Sequence, residues 1–269
     1  MSLFSPSQPR TRDLSTDPRT LPFELGSGRP VLLLHGFTGT PFEIRPLGEA
    51  LARRGYHAVG PRVAGHGLSP EALGQTNAAD WFASARSALD RVAAKEPAHV
   101  IGLSMGAMLS LLLARERPDQ LASLTLLAPA AQFSSHIQLF FNAFRYLPLA
   151  RRIPFMRKRG VGMVDQEVAS TAPYMDRVPT HLAVEVLRLM AEAREAASEV
   201  RTRTLVMYGG QDHTVSEAGV LRLIGKMHPP PMRVVKLARS GHILPLDVER
   251  ERVAAEVGDF IAHCDELRG

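Results

Sequence analysis

Five residues, Gly102-Leu103-Ser104-Met105-Gly106, sit with no spacer between the apolar run His99–Gly102 and the apolar stretch Met105–Glu116, and few folds can accommodate them. The flanking runs read as a short buried strand followed at once by a helix. A backbone that turns from strand to helix within one residue strains the central residue and lifts a serine hydroxyl above the sheet. Side chains at Gly102 and Gly106 would collide with neighbouring backbone in so tight a bend. The helix beneath presents first-turn N–H groups and a partial positive charge, suited to a developing oxyanion. A plainer reading makes Ser104 the N-cap of an ordinary connection. The strand–turn–helix setting favours a nucleophile.

The rest of the chain repeats the same alternation. Val31–Leu34, Tyr56–Val59, His99–Gly102, Leu121–Leu127, Thr204–Tyr208 and Arg233–Leu237 read as short strands. Glu43–Arg54, Asp80–Lys95, Met105–Glu116, Glu217–Met227 and Val248–His263 carry apolar residues at helical spacing, the last with Asp247 as its N-cap. Strands separated by such helices predict an α/β fold, a mostly parallel sheet flanked by helices on both faces. Residues 1–20, rich in Pro, Ser, Thr and Arg, read as a flexible arm. Segments 21–129 and 201–269 form the core, and 130–200 breaks the rhythm. Phe133, Phe140, Phe141, Phe144 and Phe155 make the first part of that excursion too apolar for a linker, so it is expected to be an inserted helical cap.

Composition narrows the classes. A lone cysteine, Cys264, excludes an intramolecular disulfide scaffold and a cysteine-rich zinc site. The excess of 32 Lys+Arg over 27 Asp+Glu is a modest +5 that does not argue for nucleic acid. The start lacks a basic region followed by an apolar core, and no stretch reads as a membrane span, so a cytoplasmic location is expected.

A serine hydroxyl needs a base and an orienting acid. His242, in Ser240-Gly241-His242, follows the last strand and precedes the last helix, where a loop leaves the C-terminal edge of the sheet. His35 ends a strand, but its following glycine suggests another job; His66 suits a structural hydrogen bond; His213 is a weaker competitor as base. No carboxylate follows Leu121–Leu127 in Ala128-Pro129-Ala130-Ala131, whereas Gly209-Gly210-Gln211-Asp212 follows Thr204–Tyr208. Asp212 is therefore the candidate acid, with a turn or N-cap role as its alternative.

The order Ser104, Asp212, His242 joins His35-Gly36-Phe37-Thr38-Gly39, Gly65-His66-Gly67 and Asp80-Trp81 in one set of motifs. From Val31 to Phe260, the cap excepted, that set resembles the serine hydrolases of the α/β-hydrolase superfamily, close to carboxylesterases and monoacylglycerol lipases. The resemblance implies an oxyanion hole of the Phe37 and Met105 backbone N–H groups. The residues agree, since Met105 follows the nucleophile and Gly36 lets the first loop approach. Ala107 stands where many relatives have a second glycine, a small departure.

The expected activity is hydrolysis of carboxylic esters through an acyl-enzyme at Ser104, on a small-molecule ester or monoacyl lipid, with no cofactor and no metal. Phe133, Phe140, Phe141 and Phe144 suggest an apolar acyl pocket. A thioesterase or ring-fission-product hydrolase, or a non-catalytic binding protein on the same fold, are the alternatives. Epoxide hydrolases and dehalogenases need a carboxylate where Ser104 stands. The basic residues Arg145, Arg151, Arg152, Arg157, Lys158 and Arg159 read first as a solvated face and second as a means of transient contact with anionic lipid surfaces.

Overall fold

The computed structural model describes residues 14–135, 137–139, 154–157, 162–228 and 233–268. Its apolar runs pair into one sheet because their backbone groups, once buried, must find partners. The strands are β1 (Phe23–Leu25), β2 (Pro30–Leu34), β3 (His57–Gly60), β4 (Ala98–Leu103), β5 (Leu121–Leu127), β8 (Thr204–Gly209) and β9 (Arg233–Leu237). They run in the order β1-β3-β2-β4-β5-β8-β9. Each neighbouring pair is parallel except β1 with β3, an antiparallel edge of three residues too short to show a period in sequence.

The period of two along each strand divides the core. Leu32, Leu34, Val100, Leu124, Leu126 and Val206 face one side, with α3 (Ala78–Val92), α4 (Met105–Glu116) and α7 (Glu217–Lys226). Val31, Leu33, Ile101, Leu103, Leu205 and Met207 face the other, with α1 (Arg45–Arg53) and α8 (Arg250–Glu266). Helix α2 (Pro70–Gly74) is a single turn capped by Ser69. Helix α3 starts two residues earlier than its apolar pattern suggests, because Asn77 and Asp80 form a reciprocal capping box. Its Trp81 is fully buried and donates its indole N–H to Thr76 Oγ1 at 2.9 Å.

The structure refines the boundaries read from sequence. Residues 14–20 do not behave as a loose arm: Leu14 is 1% exposed, its amide bonds the Leu68 carbonyl, and Thr20 is buried. The excursion is not wholly helical. It carries a two-stranded antiparallel ribbon, β6 (Phe155–Arg157) with β7 (Arg177–Pro179), ahead of α6 (Leu182–Ala196) and beside the short α5 (Gln166–Thr171). Helix α6 joins the main core through Leu182, Val186, Leu189, Met190, Ala193 and Ala196. The cause lies in α4, buried along every residue from Met105 to Ala114, which needs apolar cover on its outer face as well as its inner one. Asp247 is not the cap of α8. That helix begins behind Glu249, and the buried Asp247 carboxylate faces loop amides instead.

Candidate active site

Ser104 stands between β4 and α4 with φ 55° and ψ −110°, outside both strand and helix regions. The two glycines make the bend possible. A Cβ on Gly102 would lie 2.3 Å from the Gly106 carbonyl oxygen, and one on Gly106 would lie 2.2 Å from that of Leu34. The Ser104 amide is held by the Leu127 carbonyl at 2.9 Å, which fixes the turn to β5.

The hydroxyl of Ser104 donates to His242 Nε2 at 2.9 Å, and His242 Nδ1–H donates to Asp212 Oδ2 at 2.7 Å. The other carboxylate oxygen of Asp212 accepts the amides of Thr214 at 2.7 Å and Val215 at 2.9 Å. Burial alone would push the Asp212 carboxyl up; the facing His242 and these hydrogen bonds outweigh it and hold the group below its ordinary value. Asp212 is thus anionic, and the imidazole is oriented with Nε2 free to take a proton. The three residues come from β4, β8 and β9, so the sheet's C-terminal edge brings together what the chain separates. His213, by contrast, is exposed, and its carbonyl accepts from Ser134.

The first loop is braced from three sides. His35 is fully buried; burial lowers its pKa to about 4, so it is neutral. Its Nδ1–H donates to the Gly36 carbonyl at 2.9 Å, and Nε2 accepts the Val63 amide at 3.1 Å. The Gly36 amide is claimed by Glu43 Oε2 at 3.1 Å, which leaves Phe37 as the next amide along the loop. The Phe37 ring packs on Trp81 and His66 at 5.4 and 5.8 Å between centroids, and His66 Nδ1 hydrogen-bonds the Ala64 carbonyl at 2.9 Å. Across from this loop, Met105 opens α4, where first-turn amides lack acceptors within the helix.

Phe133 is buried and bridges Val215, three residues beyond Asp212. Phe140, Phe141 and Phe144 lie outside the described residues. Of the basic cluster only Arg157 is described, exposed at the end of β6. The sequence did not disclose what three carboxylates do: Glu43, Glu249 and Asp247, the last of which it offered only as a helix cap. Glu249 accepts the Arg239 amide at 2.8 Å and the Ser240 hydroxyl at 3.0 Å, bracing the turn ahead of His242. Each resembles a helix-start acid in sequence; their spacing after the glycine loops 36–39 and 241 was the available signal.

Among the described residues no helix is long and apolar enough to cross a membrane, and no group of three or more His, Cys, Asp or Glu could hold a metal.

A parallel sheet with a serine on a strained strand-to-helix turn, and with acid and histidine on the two following edge loops, defines an α/β-hydrolase. The family model Hydrolase_4, described as serine aminopeptidase, S33, matches residues 28–249, and the chain belongs to this family. It is 28% identical over 233 residues to a thermostable monoacylglycerol lipase of Bacillus sp. (strain H-257), covering 86% of this chain and 90% of the relative. It is 25% identical over 242 residues to a carboxylesterase of Bacillus subtilis (strain 168), covering 89% and 95%. A solved structure from the metagenome-derived lipolytic enzymes LipS and LipT superposes with a TM-score of 0.84 at 25% identity, over 91% of this chain and 98% of that one. The chain is an α/β-hydrolase of the esterase and lipase kind.

Proposed function

We propose that this enzyme hydrolyses carboxylic esters with uncharged, apolar acyl chains, monoacylglycerols among them, by way of an acyl-enzyme on Ser104. The observation that carries the reading is the hydrogen-bonded relay from Ser104 through His242 to Asp212, at 2.9 and 2.7 Å. In this reading the Ser104 oxygen attacks the ester carbonyl while its proton passes to His242 Nε2. The Phe37 and Met105 amides meet the oxyanion. His242 returns that proton to the departing alcohol, then takes one from a water that attacks the acyl-enzyme and passes it to the Ser104 oxygen as the carboxylic acid leaves. Asp212 stays anionic throughout and stabilises the imidazolium.

The names borne by the similar relatives, a monoacylglycerol lipase and a carboxylesterase, support the substrate class. The Phe-rich start of the excursion, Phe133, Phe140, Phe141 and Phe144, supports an apolar acyl site. The test is an ester series of increasing acyl length, run beside a monoacylglycerol, a phenyl ester and an aminoacyl anilide. Turnover should favour the esters, and Ser104→Ala should lower kcat by about 10⁴-fold or more. Turnover of the anilide at rates matching the esters would overturn the ester reading, and full activity in purified Ser104→Ala would overturn the nucleophile.

A further inference from the structure

Both ring nitrogens of His242 are committed to its partners, so the imidazole is placed by the backbone that carries it. That backbone is tied to the excursion by two devices. The His242 amide donates to the Gly162 carbonyl at 2.5 Å. The carboxylate of Asp247, 0% exposed, takes the Gly241 amide on Oδ2 at 2.6 Å and the Asp165 and Val248 amides on Oδ1, each at 2.9 Å. The Val164 amide lies 3.1 Å from both oxygens. Packing is equally close. Gly162 has φ +72°, and a Cβ there would stand 3.0 Å from that of His242; a Cβ on Gly241 would stand 2.5 Å from the Gly162 carbonyl oxygen. Asp165 also caps α5 and pairs with Arg250 at 3.1 Å, fixing the segment's far end to the start of α8.

We propose that Asp247 is a positioning residue that joins the His242 loop to residues 162–165, so that the base is aligned with Ser104 only while that segment is seated. The inference rests on the proposed roles of Ser104 and His242. A carboxylate suits the task because both oxygens accept and amides approach each one. Asparagine would turn an NH₂ group toward one set of amides and release either the histidine loop or the segment. Residues 162–165 and the loop that carries the base therefore share one anchor.

The experiment measures kcat and KM of Asp247→Asn and Gly162→Ala on a p-nitrophenyl ester, with active sites counted by a fluorophosphonate probe. Misplacing a catalytic group by about 1 Å costs on the order of 100-fold. Each variant should lose about 10- to 100-fold in kcat per titrated site, with KM changed less than about 3-fold. The double variant should be no worse than its worse parent, because one linkage is broken twice. Unchanged kcat per titrated site in Asp247→Asn, with only a lower melting temperature, would make the residue mere scaffold. Should that variant fail to fold, unchanged kcat in Gly162→Ala would overturn the proposal equally. Labelling that persists in Ser104→Ala would instead sink the catalytic reading, which separates the two failures.

Discussion

Among the described residues there are two hydroxyl–imidazole–carboxylate chains, at opposite ends of the same central strands. At the C-terminal edge, Ser104 donates to His242 and His242 to Asp212. At the N-terminal end, Ser123 lies 2.7 Å from His99 Nδ1, and His99 Nε2 lies 3.1 Å from Asp265. With Nε2–H donating to the carboxylate, the Ser123 hydroxyl donates to Nδ1, and the proton wiring is the same. Distances therefore do not make an active site. His99 and Ser123 are register partners on β4 and β5, a pairing forced by the sheet. Ser123 is 0% exposed in mid-strand, with no helix N-terminus beneath it and no strained turn to lift it. Asp265 is also claimed by Arg29 and by the Tyr56 hydroxyl at 3.0 Å, so its charge serves to bind α8 to the sheet. What separates the two chains is the elbow and the amides around it.

The sharpest way to break this contrast is to neutralise each carboxylate in turn. Asp212→Asn should cost about 10⁴-fold in kcat, because the imidazole loses its orienting acceptor. Asp265→Asn should leave kcat per active site unchanged and lower stability by about 1–3 kcal/mol, read as a melting shift by calorimetry. A large kcat loss in the second variant would erase the distinction.

Acid titration sharpens it next. Burial lowers the pKa of His99, against the opposing pull of Asp265, and lowers that of His35 to about 4. Between those depressed values and an ordinary histidine near 6.5 the unfolded chain binds more protons than the folded one. Both histidines thus add stability that is fully present above about 6.5 and is lost as pH falls below it, for His35 through about 4. His99→Gln should flatten that slope in urea unfolding curves measured from pH 7 to 4.5, with ester turnover at pH 7.5 kept. An unaltered slope would contradict the buried neutral imidazole.

The smallest effect is expected of Ser123→Ala, which should change kcat and KM by less than about 2-fold. A loss comparable to that of Ser104→Ala would mean that the inner chain takes part in catalysis.

Much of the fold and the triad was legible because it rests on local pattern. The apolar runs at β2, β4, β5 and β8, and the helical stripes at α3 and α7, need only a few consecutive residues to declare themselves. Other parts left no local trace. Strand β1 spans three residues, and the ribbon β6–β7 pairs segments about twenty residues apart. Asp247 reads as a helix-start acid until the Gly241 and Val164 amides are seen around it. Glu43, likewise, discloses its purpose only when the Gly36 amide folds back onto it.

By itself the amino-acid order determined the elbow at Ser104, the alternation that builds a parallel sheet, and the succession of Ser104, Asp212 and His242 at the ends of strands. Each follows from steric demands within a turn or from the period of a single element. Tertiary structure alone decided that Asp212 reaches His242, that α6 covers α4, and that Ser123 is sealed while Ser104 sits at an edge. Those outcomes depend on which surfaces meet across the sheet, and burial and hydrogen-bond partners are properties of that meeting rather than of any one segment.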